Sequence, residues 1–191
     1  MNLQYLHNAD MHNVTWHRVI RKKWWTLKLD KVLINGQDSN LCDDGHSELY
    51  RKNCAIIMDS GTSSMAAPAQ THNKFMNLLN KIGKSNSIKS WPKLTFVIDG
   101  KNYDMPNYAY LSTNTQLTYQ KSCKKSDFVE PEFVPFDSGD DEYAIWIAGD
   151  AFLSEYISIY DRDNDMVGLG KPWLKNIEKI QKNEKLNKES S

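Results

Sequence analysis

Long apolar runs are missing from this chain. No stretch approaches the roughly 20 consecutive apolar residues that cross a bilayer, and the opening MNLQYLHNADMHNVTW has no apolar core of the kind a secretory signal carries. No membrane segment is expected in this chain, and nothing in it directs the chain to a compartment. An excess of charge is missing too: 24 basic residues face 24 acidic ones. Phosphate backbones require a basic excess, so no nucleic-acid partner is expected. Cysteine is scarce, and three residues cannot all pair within one chain. No internal repeat is visible. What remains, 191 residues with 40% hydrophobic and 25% charged, is the composition of one packed globular domain.

Several kinds of chemistry are also absent. His7, His12 and His17 recur at five-residue intervals, a spacing that alternates faces on a strand and spreads around a helix, so the rings do not converge. His46 and His72 are isolated, and neither a metal nor a cofactor is expected. Asp161, Asp163 and Asp165 imitate the start of a calcium loop, but Met166 and Pro172 stand where that loop needs glycine and a bidentate glutamate. A hairpin turn is expected there instead. No serine or cysteine has a histidine base beside it, which excludes acyl-enzyme chemistry from the expectation. Asn13, Val14 and Thr15 form a glycosylation acceptor pattern, informative only in a secretory protein.

What is present is concentrated in AIIMDSGTSS, residues 55–64. Ala55 to Met58 read as a short buried strand, so Asp59 emerges at the end of a rigid element in poorly solvated surroundings. A carboxylate there needs partners. Ser60, Gly61, Thr62 and Ser63 offer hydroxyls and a tight turn whose amides face inward. Asp137, Ser138 and Gly139 repeat the triplet and serve as a control. That copy follows Pro135 and Phe136 rather than a strand-like run and leads into Asp140, Asp141 and Glu142, so it is read as a solvated acidic loop.

Strands dominate the remainder. Trp25, Leu27 and Leu29 alternate with polar neighbours, and Val32 to Ile34 run into a hairpin signal at Asn35 and Gly36. Leu94, Phe96 and Ile98 alternate likewise and end at Asp99 and Gly100, while Tyr143 to Ile147 and Tyr156 to Tyr160 supply further β-rich runs. Phe75, Met76, Leu79 and Ile82 share one face of a helix opened by Pro68 and closed by Gly83. A shorter helix is expected around Ala151 to Tyr156. The fold class is therefore mostly β, with one or two short helices. Cys42 and Cys54 flank the polar loop DDGHSELYRKN. A disulfide between them, in an oxidising compartment, would tie that loop down just before the Asp59 strand. Cys123 is then a buried thiol or half of a bond to a partner outside the chain.

With Asp59 placed in a β-rich domain ahead of the Pro68 helix, the chain resembles the C-terminal lobe of a pepsin-family aspartic protease. VTWHRV at residues 14–19, WWTLKLDKVLINGQ at 24–37 and LTFVIDGKNYDMP at 94–106 are similar to successive segments of that lobe, and WIAGDAFLSEYISIYDRDNDMVGLG at 146–170 to its closing strand, helix and hairpin. The serine after the aspartate, the loop insertions and the asparagine and lysine richness resemble the plasmepsins of malaria parasites. The resemblance implies three segments: 1–13 as a connector from a missing N-terminal lobe, 14–170 as the lobe, and 171–191 as a lysine-rich tail.

It also implies roles. Asp59 becomes one of two catalytic aspartates, Ser60 a brace for the opposite lobe's loop, and Thr62 a hydrogen-bond partner of the carboxylate. Gly61 and Thr62 also fall in the substrate-binding set, with Trp24 and Ile147 as pocket-lining positions on the leaving-group side; core packing is an equal reading for the last two. Ile147, Ala148 and Gly149 match the apolar segment behind the catalytic loop. Departures are Ala148 in place of a larger aliphatic, Ser154 in place of arginine, and no partner for Cys123. Two carboxylates are needed for the chemistry, one ionised to activate water and one protonated to donate to the scissile carbonyl. The expectation is thus half of an aspartic endopeptidase, inactive alone, whose partners are a peptide or protein substrate, pepstatin-type inhibitors and its own N-terminal lobe, in the secretory pathway, an acidic vesicle or outside the cell. A non-catalytic binding lobe and a symmetric homodimer are the alternatives.

Overall fold

The computed structural model describes residues 13–42, 53–84, 87–114, 128–139 and 142–172. His7, His12, His46, Cys123, Asp140, Asp141 and the lysine-rich tail from residue 173 onward lie outside these residues.

The strands are β1 (Thr15–Arg18), β2 (Thr26–Ile34), β3 (Gln37–Asp38), β4 (Asn53–Met58), β5 (Met65–Pro68), β6 (Leu94–Ile98), β7 (Lys101–Met105), β8 (Leu111–Asn114), β9 (Phe128–Pro131), β10 (Phe133–Phe136), β11 (Tyr143–Ala148), β12 (Ile157–Asp161) and β13 (Met166–Gly170). The helices are α1 (Ala69–Ile82), α2 (Asn107–Tyr110) and α3 (Asp150–Leu153). The mostly β expectation holds. Leu27, Leu29, Leu94, Phe96 and Ile98 are buried on alternating strand positions, and both hairpin signals form turns, with positive φ at Asn35, Gly36, Asp99 and Gly100.

The large sheet runs β10-β5-β11-β4-β2-β6-β7, with β3 added to β2. Its centre is the parallel pair β4 and β11, in register from Asn53–Tyr143 to Met58–Ala148. Being covered on both faces, β4 reads as a continuous apolar run, as parallel central strands do. A three-stranded sheet, β1-β13-β12, and a two-stranded one, β8-β9, complete the fold.

Helix α1 spans the predicted interval, with Pro68 before it and the Gly83 amide bonded back to the Leu79 carbonyl. Phe75 and Leu79 seat it against the core, where the Phe75 ring meets Phe133 and Trp146 edge-on. Met76 packs at the margin of that core, whereas Ile82 is exposed, because the apolar face runs out with the last turn.

Three expectations need correction. The second helix is the single turn α3, starting one residue earlier than expected and ending at Leu153, because β12 takes up the chain from Ile157. A further single turn, α2, follows Pro106 with no apolar period to announce it. Most important, Asp137 does follow a strand: β10 pairs in parallel with β5 through Phe133–Met65 to Phe136–Pro68. Pro135 obscured it. A proline without an N–H is tolerated on an edge strand, and β10 ends the sheet.

Candidate active site

Strand β4 delivers Asp59 to the middle of the large sheet. Residues Cys54 to Met58 are buried, and the strand is held on one side by β2 and on the other by β11. The grip continues past the strand end, where the Met58 amide donates to the Trp25 carbonyl at 3.0 Å and the Asp59 amide to the Ala148 carbonyl at 3.0 Å. The carboxylate is then clamped at both oxygens. Gly61 N–H donates to Oδ1 at 2.9 Å and Thr62 Oγ1 to Oδ2 at 2.7 Å. Asp59 itself is half-buried, so the carboxylate keeps access to solvent or a ligand while its conformation is fixed.

The turn is fastened from behind by the segment after β11. The Asp150 amide reaches the Thr62 carbonyl at 2.7 Å and the Ala151 amide the Ser63 carbonyl at 3.1 Å. This contact requires glycine at 149, since a Cβ there would lie 2.0 Å from the Ser64 carbonyl oxygen and 2.2 Å from that of Thr62. Gly61 has a milder constraint, a Cβ at that position falling 3.2 Å from Asp59 Oδ1. Before the strand, Cys54 is disulfide-bonded to Cys42 across a Cα separation of 5.2 Å, which closes the loop between β3 and β4 as expected.

Asp59 opens onto a cleft of about 890 Å³ whose walls include Trp24, Trp25, Thr62, Val134, Phe136 and Ile147. Of the residues expected at the site, the structure gathers Asp59, Thr62, Trp24 and Ile147 around this space. Trp24 is exposed at 39%, which rules out the core-packing reading for it, while Ile147 is 8% exposed and serves the core and the cleft wall together. Ser60, Gly61 and Ser63 are exposed on the turn. Ala148 is fully buried. Val134 and Phe136 are wall residues that the sequence does not announce, because Pro135 interrupts β10; their spacing of two, which puts both on one face of a strand, is the signal that points to them.

A charged rim completes the cleft. Lys22, Lys23 and Arg162 line it together with Asp165. Asp165 is engaged by Lys22 at 2.6 Å, so it differs from Asp59, whose partners are neutral donors.

Comparison with known proteins settles the family. The model of the family described as "Asp: Eukaryotic aspartyl protease" matches residues 7–172. The chain belongs to the eukaryotic aspartyl protease family. Among curated relatives, gastricsin from Suncus murinus is 30% identical over 167 residues, covering 81% of this chain and 37% of its own length. Pepsin A from Canis lupus familiaris is 32% identical over 168 residues, covering 82% and 38%. Embryonic pepsinogen from Gallus gallus is 31% identical over 167 residues, covering 83% and 37%. The chain therefore spans less than two fifths of the length of these aspartyl proteases. The family match includes β4, the Asp59 turn and the β11–α3 backing, which are the parts that hold the carboxylate.

Proposed function

We propose that this chain is the C-terminal lobe of an aspartic endopeptidase, residues 14–170 forming the lobe, and that Asp59 is one of its two catalytic aspartates. The observation that carries the reading is the carboxylate held at both oxygens by Gly61 and Thr62 on a cleft with apolar walls and a charged rim. Such a clamp fixes direction without neutralising charge. A water placed between Asp59 and a second carboxylate would lose a proton to the ionised member, while the protonated member donates to the scissile carbonyl. Neighbouring like charges push the two ionisations apart, so the pair titrates as a unit.

The second carboxylate is not Asp137, which lies exposed at the sheet edge, nor Asp165, which is paired with Lys22. It belongs on an N-terminal lobe, against which the exposed Ser60 would brace. The narrower likeness to plasmepsins rests on Ser60 and on the asparagine and lysine content. A Cys42–Cys54 disulfide suits an extracellular or vesicular setting, where acid-dependent proteolysis also belongs.

The test is hydrolysis of a peptide at acidic pH by a protein in which this chain is joined to an upstream aspartate turn. Activity blocked by a pepstatin-type inhibitor and lost in Asp59→Ala is expected; retained activity in that variant would sink the reading. Hydrolysis by the 191-residue chain alone as a dimer would favour the homodimer, and binding without hydrolysis the structural lobe.

A further inference from the structure

The cleft's charges do not balance. Five charged side chains line it: Lys22, Lys23, Arg162, Asp59 and Asp165. Lys22 and Asp165 neutralise each other at 2.6 Å. Asp59 keeps its charge but is held by a hydroxyl and an amide rather than by a cation. Lys23 and Arg162 are left facing the space with no carboxylate partner among the described residues, Lys23 lying 4.5 Å from the centre of the Trp24 ring.

These two cations come from different parts of the chain, on segments that contact each other. Lys23 sits on the connection from β1 to β2, and Arg162 on the β12–β13 turn. The Val19 amide donates to the Asp165 carbonyl at 2.9 Å, and the Trp25 and Tyr160 rings pack at 5.1 Å, so the two turns form one rim. Next to that rim stand the apolar side chains Trp24, Phe136 and Ile147. A peptide lying along the cleft would meet an apolar wall, then two cations without a carboxylate partner among the described residues, one of them, Lys23, over the Trp24 ring. Apolar walls concentrate the field of such charges.

We propose that this rim selects peptides with an acidic side chain, aspartate or glutamate, adjacent to the residue that rests on the Trp24 wall, with Lys23 and Arg162 as the specificity-determining residues. The inference rests on the reading of this cleft as the substrate site. Both cations are exposed, so the gain is that of a solvent-accessible ion pair, about three- to tenfold in kcat/KM for the two together.

Its test uses the protein with both lobes and matched peptides carrying glutamate or glutamine at each position on either side of the scissile bond. At pH 5.5 glutamate should win by that factor at one position on one side only. The advantage should vanish near pH 3.5, where a free glutamate is protonated, and shrink in about 1 M salt. In the Lys23→Ala and Arg162→Ala double variant the glutamate-to-glutamine ratio should fall to about one, and in the Lys23→Glu and Arg162→Glu double variant a matched lysine peptide should be cleaved faster than the glutamate one. Equal cleavage of both peptides at every position, in an enzyme that Asp59→Ala inactivates, overturns this inference and leaves the proposed function standing. Absence of pepstatin-sensitive cleavage of either peptide overturns both.

Discussion

Asp59 and Asp137 open the same three-residue turn, D-S-G, and in both the glycine amide donates to the aspartate Oδ1, at 2.9 and 3.1 Å. Each turn also follows a strand, β4 in one case and β10 in the other. The turn and its local hydrogen bond therefore do not distinguish them. What differs is the sheet beneath. β4 lies between β2 and β11 with five consecutive buried residues, whereas β10 is an edge strand whose Val134 and Pro135 are exposed. The Asp59 turn is further fastened by backbone bonds from Ala148, Asp150 and Ala151, and by Thr62 on the second carboxylate oxygen. A three-residue motif makes a turn; long-range backbone contacts make it a rigid holder for a carboxylate.

The largest expected contrast is in catalysis. On the proposed function, in a protein joining this chain to an upstream aspartate turn, Asp59→Asn should lower peptide hydrolysis by at least about 10²- to 10⁴-fold, the usual contribution of a positioned acid or base, while Asp137→Asn should leave kcat/KM unchanged. A loss of comparable size in the second variant would break the comparison. The next contrast is in stability. Gly149→Ala drives a Cβ into two backbone carbonyls that belong to the Asp59 turn, which puts it at the upper end of the about 1–3 kcal/mol that overpacking costs. Gly139→Ala meets open space, so its cost is that of a φ of +61° alone, about 1 kcal/mol. Urea unfolding at neutral pH measures both, and equal losses would show that the Asp59 turn is no more tightly held than its copy.

The unequal legibility of the two turns in the sequence has the same cause. β4 could be read from Ala55 to Met58 because a doubly covered strand is apolar throughout. β10 could not, since an edge strand needs neither a continuous apolar run nor every amide, and Pro135 breaks the pattern. Asp59, Thr62, Trp24 and the Cys42–Cys54 bond were within reach of motif, flanking composition and resemblance. Gly149's tight contact with the turn, the β10 wall and the union of Lys23 with Arg162 depend on pairings between segments far apart in the chain. No local period records those. α2 and α3 escaped prediction or were misplaced for a different reason: a single helical turn has too few residues to show a period of 3.6.

A third aspartate–glycine turn, Asp99–Gly100 between β6 and β7, sharpens the comparison at its weak end. Its carboxylate neither closes on its own glycine nor faces the cleft; it stands 3.6 Å from Nδ1 of His17, with side-chain exposures of 55% and 1%. The other ring nitrogen bonds the Tyr103 hydroxyl, so His17 joins the three-stranded sheet to β7. Burial holds the His17 imidazole below its ordinary value, the Asp99 carboxylate opposing it and Lys101 assisting. Because the folded state disfavours the imidazolium, the stability this group contributes is present above about pH 6.5, the ordinary histidine value, and is lost as pH falls through the lower folded value. His17→Gln keeps a hydrogen-bonding partner for Tyr103 and removes the titration. Its unfolding free energy should consequently fall less than that of the unaltered protein between pH 7 and pH 5, measured by urea titration at each pH. This is the smallest of the three effects, since Asp99 offsets part of the burial. A steeper fall in the variant would mean that the ion pair with Asp99 outweighs burial, and that this exposed turn, unlike Asp137, contributes to the fold through its charge.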